Sequence, residues 1–207
     1  MSNAHCDGVL TPTWLQSLIK AQAIMDSGVR LAVRQEAELR GMRPSCGVRC
    51  SGCCSSGHLS ATSLEVAGAL WRLSNDESPV AEKALARFTS NDNGSCPFLV
   101  EEACAVYSMR FLSCRQLVVF GRPCAQDENP FRTRRSDVLT PLRQYAFKAY
   151  ASLLPHLDIH SRPSDPFELE ALLGGLLKPA EAHKTSSPAD LVEMIRQGRC
   201  VESSKAA

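Results

Sequence analysis

Several familiar signals are missing from this 207-residue chain. No apolar run approaches the length of a membrane-spanning helix. The charge is almost balanced, 23 basic against 22 acidic residues for a formal net charge of +1, so no general field draws the protein to nucleic acid or anionic lipid. No glycine-rich nucleotide loop and no convincing internal repeat is visible. The polar start Met1-Ser2-Asn3-Ala4 lacks a basic segment leading into an apolar run, so no secretory signal is read there. A cytoplasmic location is therefore expected, where thiols stay reduced. The hydrophobic content of 44% and charged content of 22% are those of an ordinary soluble protein with material for one full domain.

Cysteine is what the chain has in excess. Eight of its ten cysteines lie between residues 46 and 124, and four of these fall in nine residues: Cys46, Cys50, Cys53 and Cys54. Cys96, Cys104, Cys114 and Cys124 follow at wider steps. Such density serves soft or borderline metal ions, iron–sulfur clusters or disulfides, and a reducing compartment favours the first two. Neighbouring side chains diverge, so the adjacent Cys53 and Cys54 are not expected to ligate one ion together. One ligates while the other packs, or the two serve different metals. The loop 46–54 supplies one half of a site, and 96–124 folds back to supply the other.

The remaining pattern is helical. Trp14, Leu15, Leu18, Ile19 and Ile24 recur at helical spacing, extended by Leu31 and Leu39, and predict a helix over 12–40 closed by Gly41 and Pro44. Gly28 weakens its middle and is a candidate break between two helices. Thr62 and Glu65 form a capping box for a helix to about Leu73, and Ser78-Pro79 opens another to about Phe88. A turn is expected at 91–94. Between Cys96 and Cys124, short helical turns and a small strand pair are expected within irregular chain. Three helices close the sequence, over about 140–154 (capped by Thr140-Pro141), 166–177 and 188–197. The expected organisation is an N-terminal helical segment (1–45), a cysteine-rich module (46–124) and a C-terminal helical extension (125–207), together one globular unit. The fold class is mostly α: a helical, bundle-like scaffold around an irregular cysteine-rich metal-binding module.

Cys46-x3-Cys50-x2-Cys53-Cys54 is followed by Cys96-Pro97-Phe98-Leu99, then Cys104-Ala105-Val106-Tyr107, then Arg110-Phe111-Leu112-Ser113-Cys114-Arg115. In this order and spacing the boxes resemble the YkgJ-type family of zinc- or iron-chelating proteins, the CxxCxxCC family. The resemblance covers about residues 46–124, and the set of boxes carries it rather than any one of them. It implies metal ligation by Cys50, Cys53, Cys54, Cys96, Cys104 and Cys114, with Cys46 and Cys124 as additions. There are two departures: Phe111 stands where the family has proline, and three residues rather than two separate Cys46 from Cys50. Flagellin lysine N-methylases share such a cysteine domain, but no S-adenosylmethionine site is evident here.

Zinc is the default for a closed all-thiolate structural site, and an iron–sulfur cluster, such as a four-iron one, stays open beside it. The expected function is metal chelation. The alternatives are an iron–sulfur redox enzyme or electron carrier, and a metal-stapled module that binds another protein. No catalytic residue stands out, and whether the chain is an enzyme stays open. The expected partners are a metal ion and, in the third reading, a protein; neither nucleic acid nor a membrane is expected.

Other residues are read more plainly. His58 is taken as a loop histidine facing water, and His156 with His160 as part of an interhelix loop despite their ligand-like spacing. Cys6 and Cys200 are spare thiols. Arg110 and Arg115 either compensate thiolate charge or face solvent. Tyr107 is a core aromatic. Arg132, Arg134 and Arg135 form a solvated basic loop.

Overall fold

The computed structural model describes residues 11–47, 50–55, 59–90, 95–125, 128–157, 159 and 161–180. The turn expected at 91–94, the helix expected at 188–197, and Cys6, Cys200, His58 and His160 lie outside these residues.

The described residues are mostly helical, with two small two-stranded sheets. The first helix, α1 (Thr13–Arg40), runs unbroken through Gly28 and ends where Gly41 adopts a left-handed conformation and donates to Ala37 and Glu38. Gly28 is thus no break. A Cβ built there would lie 2.4 Å from Cβ of Tyr145, so the missing side chain is what lets a later helix cross α1 closely.

A short turn of helix, α2 (Gly52–Ser55), carries Cys53 and Cys54 and leads to β1 (Ser60–Ala61). Helix α3 (Ser63–Ser74) opens with the full capping box at Thr62 and Glu65. Helix α4 (Pro79–Thr89) is capped by Ser78 with proline at its first position. The expected strand pair is β2 (Leu99–Val100) with β3 (Ala103–Cys104), antiparallel, with Leu99 opposite Cys104. Then come α5 (Leu112–Gln116) and α6 (Pro130–Thr133).

Helix α7 (Arg143–Ala151) starts three residues later than Thr140-Pro141 suggested. Leu139 is still extended, donating to the carbonyl of Val118, and the amide of Thr140 is held by Glu36 Oε1 at 2.6 Å. The backbone is still extended at Leu142, which serves as the cap, so the first helical residue is Arg143. Helix α8 (Pro166–Leu176) is capped by Asp165, and β4 (Lys178–Pro179) returns to pair antiparallel with β1.

Two apolar cores share α3. On one side Leu15, Leu18 and Met25 of α1 pack with Leu64, Leu112, Tyr150, Leu153 and Leu173. On the other, Val66, Leu70 and Leu73 of α3 meet Ala84 and Phe88 of α4 and the loop residues Phe98, Val106 and Phe111. Phe98 stacks on Phe88 at 5.6 Å and meets the edge of Phe111 at 5.8 Å. The second core walls the thiols, since Cys96, Cys104 and Cys114 pack against it. Among the described residues no helix is long and apolar enough to cross a membrane.

Candidate metal centre

Four separate pieces of chain bring the thiols together. The turn α2 supplies Cys53 and Cys54, and the amide of Cys96 donates to the carbonyl of Cys54 at 2.8 Å, joining the two halves by backbone. The β2–β3 hairpin supplies Cys104, and α5 supplies Cys114. Ser113, beside Cys114, donates its hydroxyl to the carbonyl of Ser60 at 2.6 Å and fixes α5 against β1. Cys53, Cys54, Cys96 and Cys114 line a cavity of about 20 Å³ whose other walls are Leu59, Pro97, Phe111 and Ala180.

Electrostatics ties the same residues together. Cys53 donates to Cys54, and this bond together with burial drives the Cys53 thiol far above its ordinary range. Cys54 is lowered by accepting from Cys53. Its own bond to Cys96, its burial and the nearby Cys96 and Cys104 outweigh that and push it up to about 12. Burial raises Cys114 strongly, helped by Cys54, Cys53 and Cys104. Cys104 is likewise raised by burial. Cys53, Cys54, Cys104 and Cys114 therefore hold their protons because they are crowded and dry. None of the eight cysteines from Cys46 to Cys124 is disulfide-bonded.

A second group lies alongside. Cys46 accepts from the amide of Val119 at 3.3 Å, while Cys53 and Cys124 pack on the small cluster of Leu117, Val119 and Val138. A Cβ built on Gly52 would fall 2.9 Å from Cβ of Cys124, so the loop closes directly on that residue. Burial raises Cys46 to about 11, its Val119 contact opposes this, and Cys50, Cys53 and Cys124 add to it. Arg134 reaches Cys124 Sγ at 3.3 Å. The burst at 46–54 thus divides: Cys54 faces inward, Cys46 and Cys50 outward, and Cys53 stands between.

As placed, no group of three or more His, Cys, Asp or Glu side chains among the described residues has a geometry that could hold a metal ion. By donor chemistry the inner thiols still suit a thiophilic cation: several sulfurs face one small, apolar-walled space. A cation there would take the place of the thiol protons.

The surrounding charges differ from the sequence reading. Arg110 and Arg115 do not act alike. Arg110 stacks on Tyr107 at 4.6 Å, and its positive charge acts on Cys53 and Cys104, pulling their thiols downward against burial. Arg115 turns away and is buried, bonding to Asp26 at 2.6 Å and to the carbonyls of Ser108 and Arg110. Tyr107 is not a core aromatic but 64% exposed, because the turn Tyr107–Met109 points Val106 and Met109 inward instead. Arg134 is no solvated loop residue: it pairs with Glu128 at 2.9 Å and Asp137 at 3.2 Å. His156 ends a short 3₁₀ turn, 3.0 Å from the hydroxyl of Ser17.

Glu65 is the residue whose wider part the sequence did not reveal. Besides capping α3, its fully buried carboxylate accepts from the amide of Leu112 at 2.6 Å, doing for α5 what a side-chain cap would do. It thereby positions Cys114 two residues later. Burial raises its carboxyl above the ordinary range against the pull of these hydrogen bonds. Only the spacing of the capping box signalled it, and that spacing says nothing of the second helix.

A roomier cavity of about 410 Å³ lies apart from the thiols, between α7 and the segment through Pro163. Its described lining has one charged side chain, Arg162, and offers no acid–base pair. Compared with protein-family models, with curated proteins and with solved structures, the chain matches none.

Proposed function

We propose that this protein chelates a thiophilic metal ion through its inner thiols, Cys54, Cys96, Cys104 and Cys114, with Cys53 beside them. The resemblance of the cysteine boxes to the CxxCxxCC family points the same way. The observation that carries the reading is the cavity lined by cysteines from three distant parts of the chain and closed by the Cys96–Cys54 backbone bond. At about 20 Å³ the space between the thiols is of the order that one ion needs. Zinc is therefore favoured over a cluster, as a closed all-thiolate site without redox chemistry.

The ion, when bound, supplies folding free energy by joining chain segments that are distant in sequence. The residues of this chain do the rest. The apolar walls exclude water from the sulfurs, Glu65 holds the start of α5, and Arg110 offsets part of the negative charge the thiolates acquire.

Elemental and acid-labile sulfide analysis of protein purified without oxygen tests the proposal. The expected result is colourless protein carrying zinc and no sulfide. Folded, fully reduced protein that holds no metal would overturn chelation, and brown, sulfide-containing protein would overturn the single-ion reading.

A further inference from the structure

The roomier cavity, of about 410 Å³, is walled mostly by aliphatic carbon. Ala151 at the end of α7, the buried Leu154 and Ile159 line it with the ring of Phe147, and Pro155 and Pro163 complete the apolar wall. These walls are tied down from several sides. The amides of Leu157 and Ile159 both donate to the carbonyl of Leu154, and His156 lies 3.0 Å from the Ser17 hydroxyl of α1. Beyond Pro163, Asp165 caps α8, and Glu168 accepts from the amide and hydroxyl of Ser164. The two prolines fix their own φ angles as well. The space is therefore formed before anything enters it, and its size is that of a site for a small organic molecule.

Two polar residues join the lining, Ser161 and Arg162, neighbours in sequence and both exposed. Among the described residues no carboxylate pairs with Arg162. The two acids that follow it, Asp165 and Glu168, already accept backbone amides. An aliphatic wall is thus joined to one guanidinium and one hydroxyl donor. A single guanidinium matches a monoanion, and its planar fork suits a carboxylate.

We propose that this cavity binds a small monocarboxylate with an aliphatic tail, the tail against Leu154 and Ile159 and the carboxylate on Arg162 and Ser161. Burial of the tail drives binding, and the ion pair sets its orientation. The site shares no residue with the thiol cavity, so it and the chelation can each fail alone.

Calorimetric titration of the full chain with decanoate, kept below its micellar concentration, tests the proposal. One decanoate per chain is expected. Decanol, with the same tail and no charge, should bind about tenfold more weakly, and decyl phosphate should not exceed decanoate. Arg162→Gln should bring decanoate down to the affinity of decanol and leave decanol unchanged. Because Arg162 is exposed, this variant keeps the parent fold. Ala151→Phe fills the cavity and should abolish binding of both, with the urea midpoint reporting its fold. No saturable heat with decanoate, equal affinity for decanoate and decanol, tighter binding of decyl phosphate, or undiminished binding in Arg162→Gln would overturn the proposal. So would a dimer in sedimentation that Ala151→Phe dissolves, since a second copy would then cover the cavity.

Discussion

The two sides of α3 are built on different physics. Toward α1, α7 and α8 the contacts are large aliphatic and aromatic side chains, and burying each contributes about 1.5–3 kcal/mol. Toward the thiols a second apolar core with Phe88, Phe98 and Phe111 is reached by short turns, two-residue strands and single backbone bonds, which carry the cysteines and are tied to Glu65. The helical side should therefore hold its shape whatever the thiols bind. The thiol side depends, besides its own apolar core, on a few polar contacts and on what its sulfurs hold.

That contrast can be broken from either side. Leu18→Ala empties a fully buried position and should cost about 2–5 kcal/mol in urea unfolding. The same loss is expected with zinc or with chelator present, and a loss that appeared only without metal would erase the distinction. Glu65→Ala leaves the amides of Thr62 and Leu112 without their acceptor and should cost about 2–4 kcal/mol. Its added signature is weaker metal retention, because α5 is no longer fixed.

Glu65→Gln probes the same place through pH. The native carboxyl is held above its ordinary range, so the folded state keeps a proton that the unfolded chain has already lost. Stability should fall as pH rises from the ordinary glutamate value, about 4.3, through the raised native one. The glutamine variant should flatten that slope in urea titrations across pH.

Smaller effects sharpen the comparison at its edges. Gly28→Ala sets a methyl against Tyr145 where α7 crosses α1 and should cost about 1–3 kcal/mol, despite alanine's better helix propensity. The hairpin between β2 and β3 turns on Glu101 and Glu102, both at positive φ, 50° and 60°. Glu102→Gly relieves the left-handed strain and should stabilise the protein by about 0.5–1 kcal/mol, read as a raised urea midpoint.

Much of the fold was legible because it is local. The helical period from Trp14 to Leu39, the Thr62–Glu65 box, Ser78-Pro79 and the stop at Gly41 are short-range signals, and each matches an element with nearly the expected bounds. Thr140-Pro141 misled because the chain stays extended as far as Leu142, where its backbone is tied to distant partners, Leu139 to Val118 and Thr140 to Glu36. The candidate site was legible as a set of cysteines and not as a grouping. Spacing along the chain cannot tell that Cys54 faces Cys96 while Cys46 faces Val119. Nor can it tell that Arg110 serves the thiols while Arg115 serves Asp26.

The sequence by itself thus determined the helical class, most helix ends and which eight thiols are available. Propensity, capping and residue identity act within a few positions of one another. Only the tertiary structure decided that Gly28 is a crossing point, that Glu65 holds two helices, and that the thiols separate into an inner and an outer group. Those outcomes depend on which distant surfaces meet, and no local spacing encodes that.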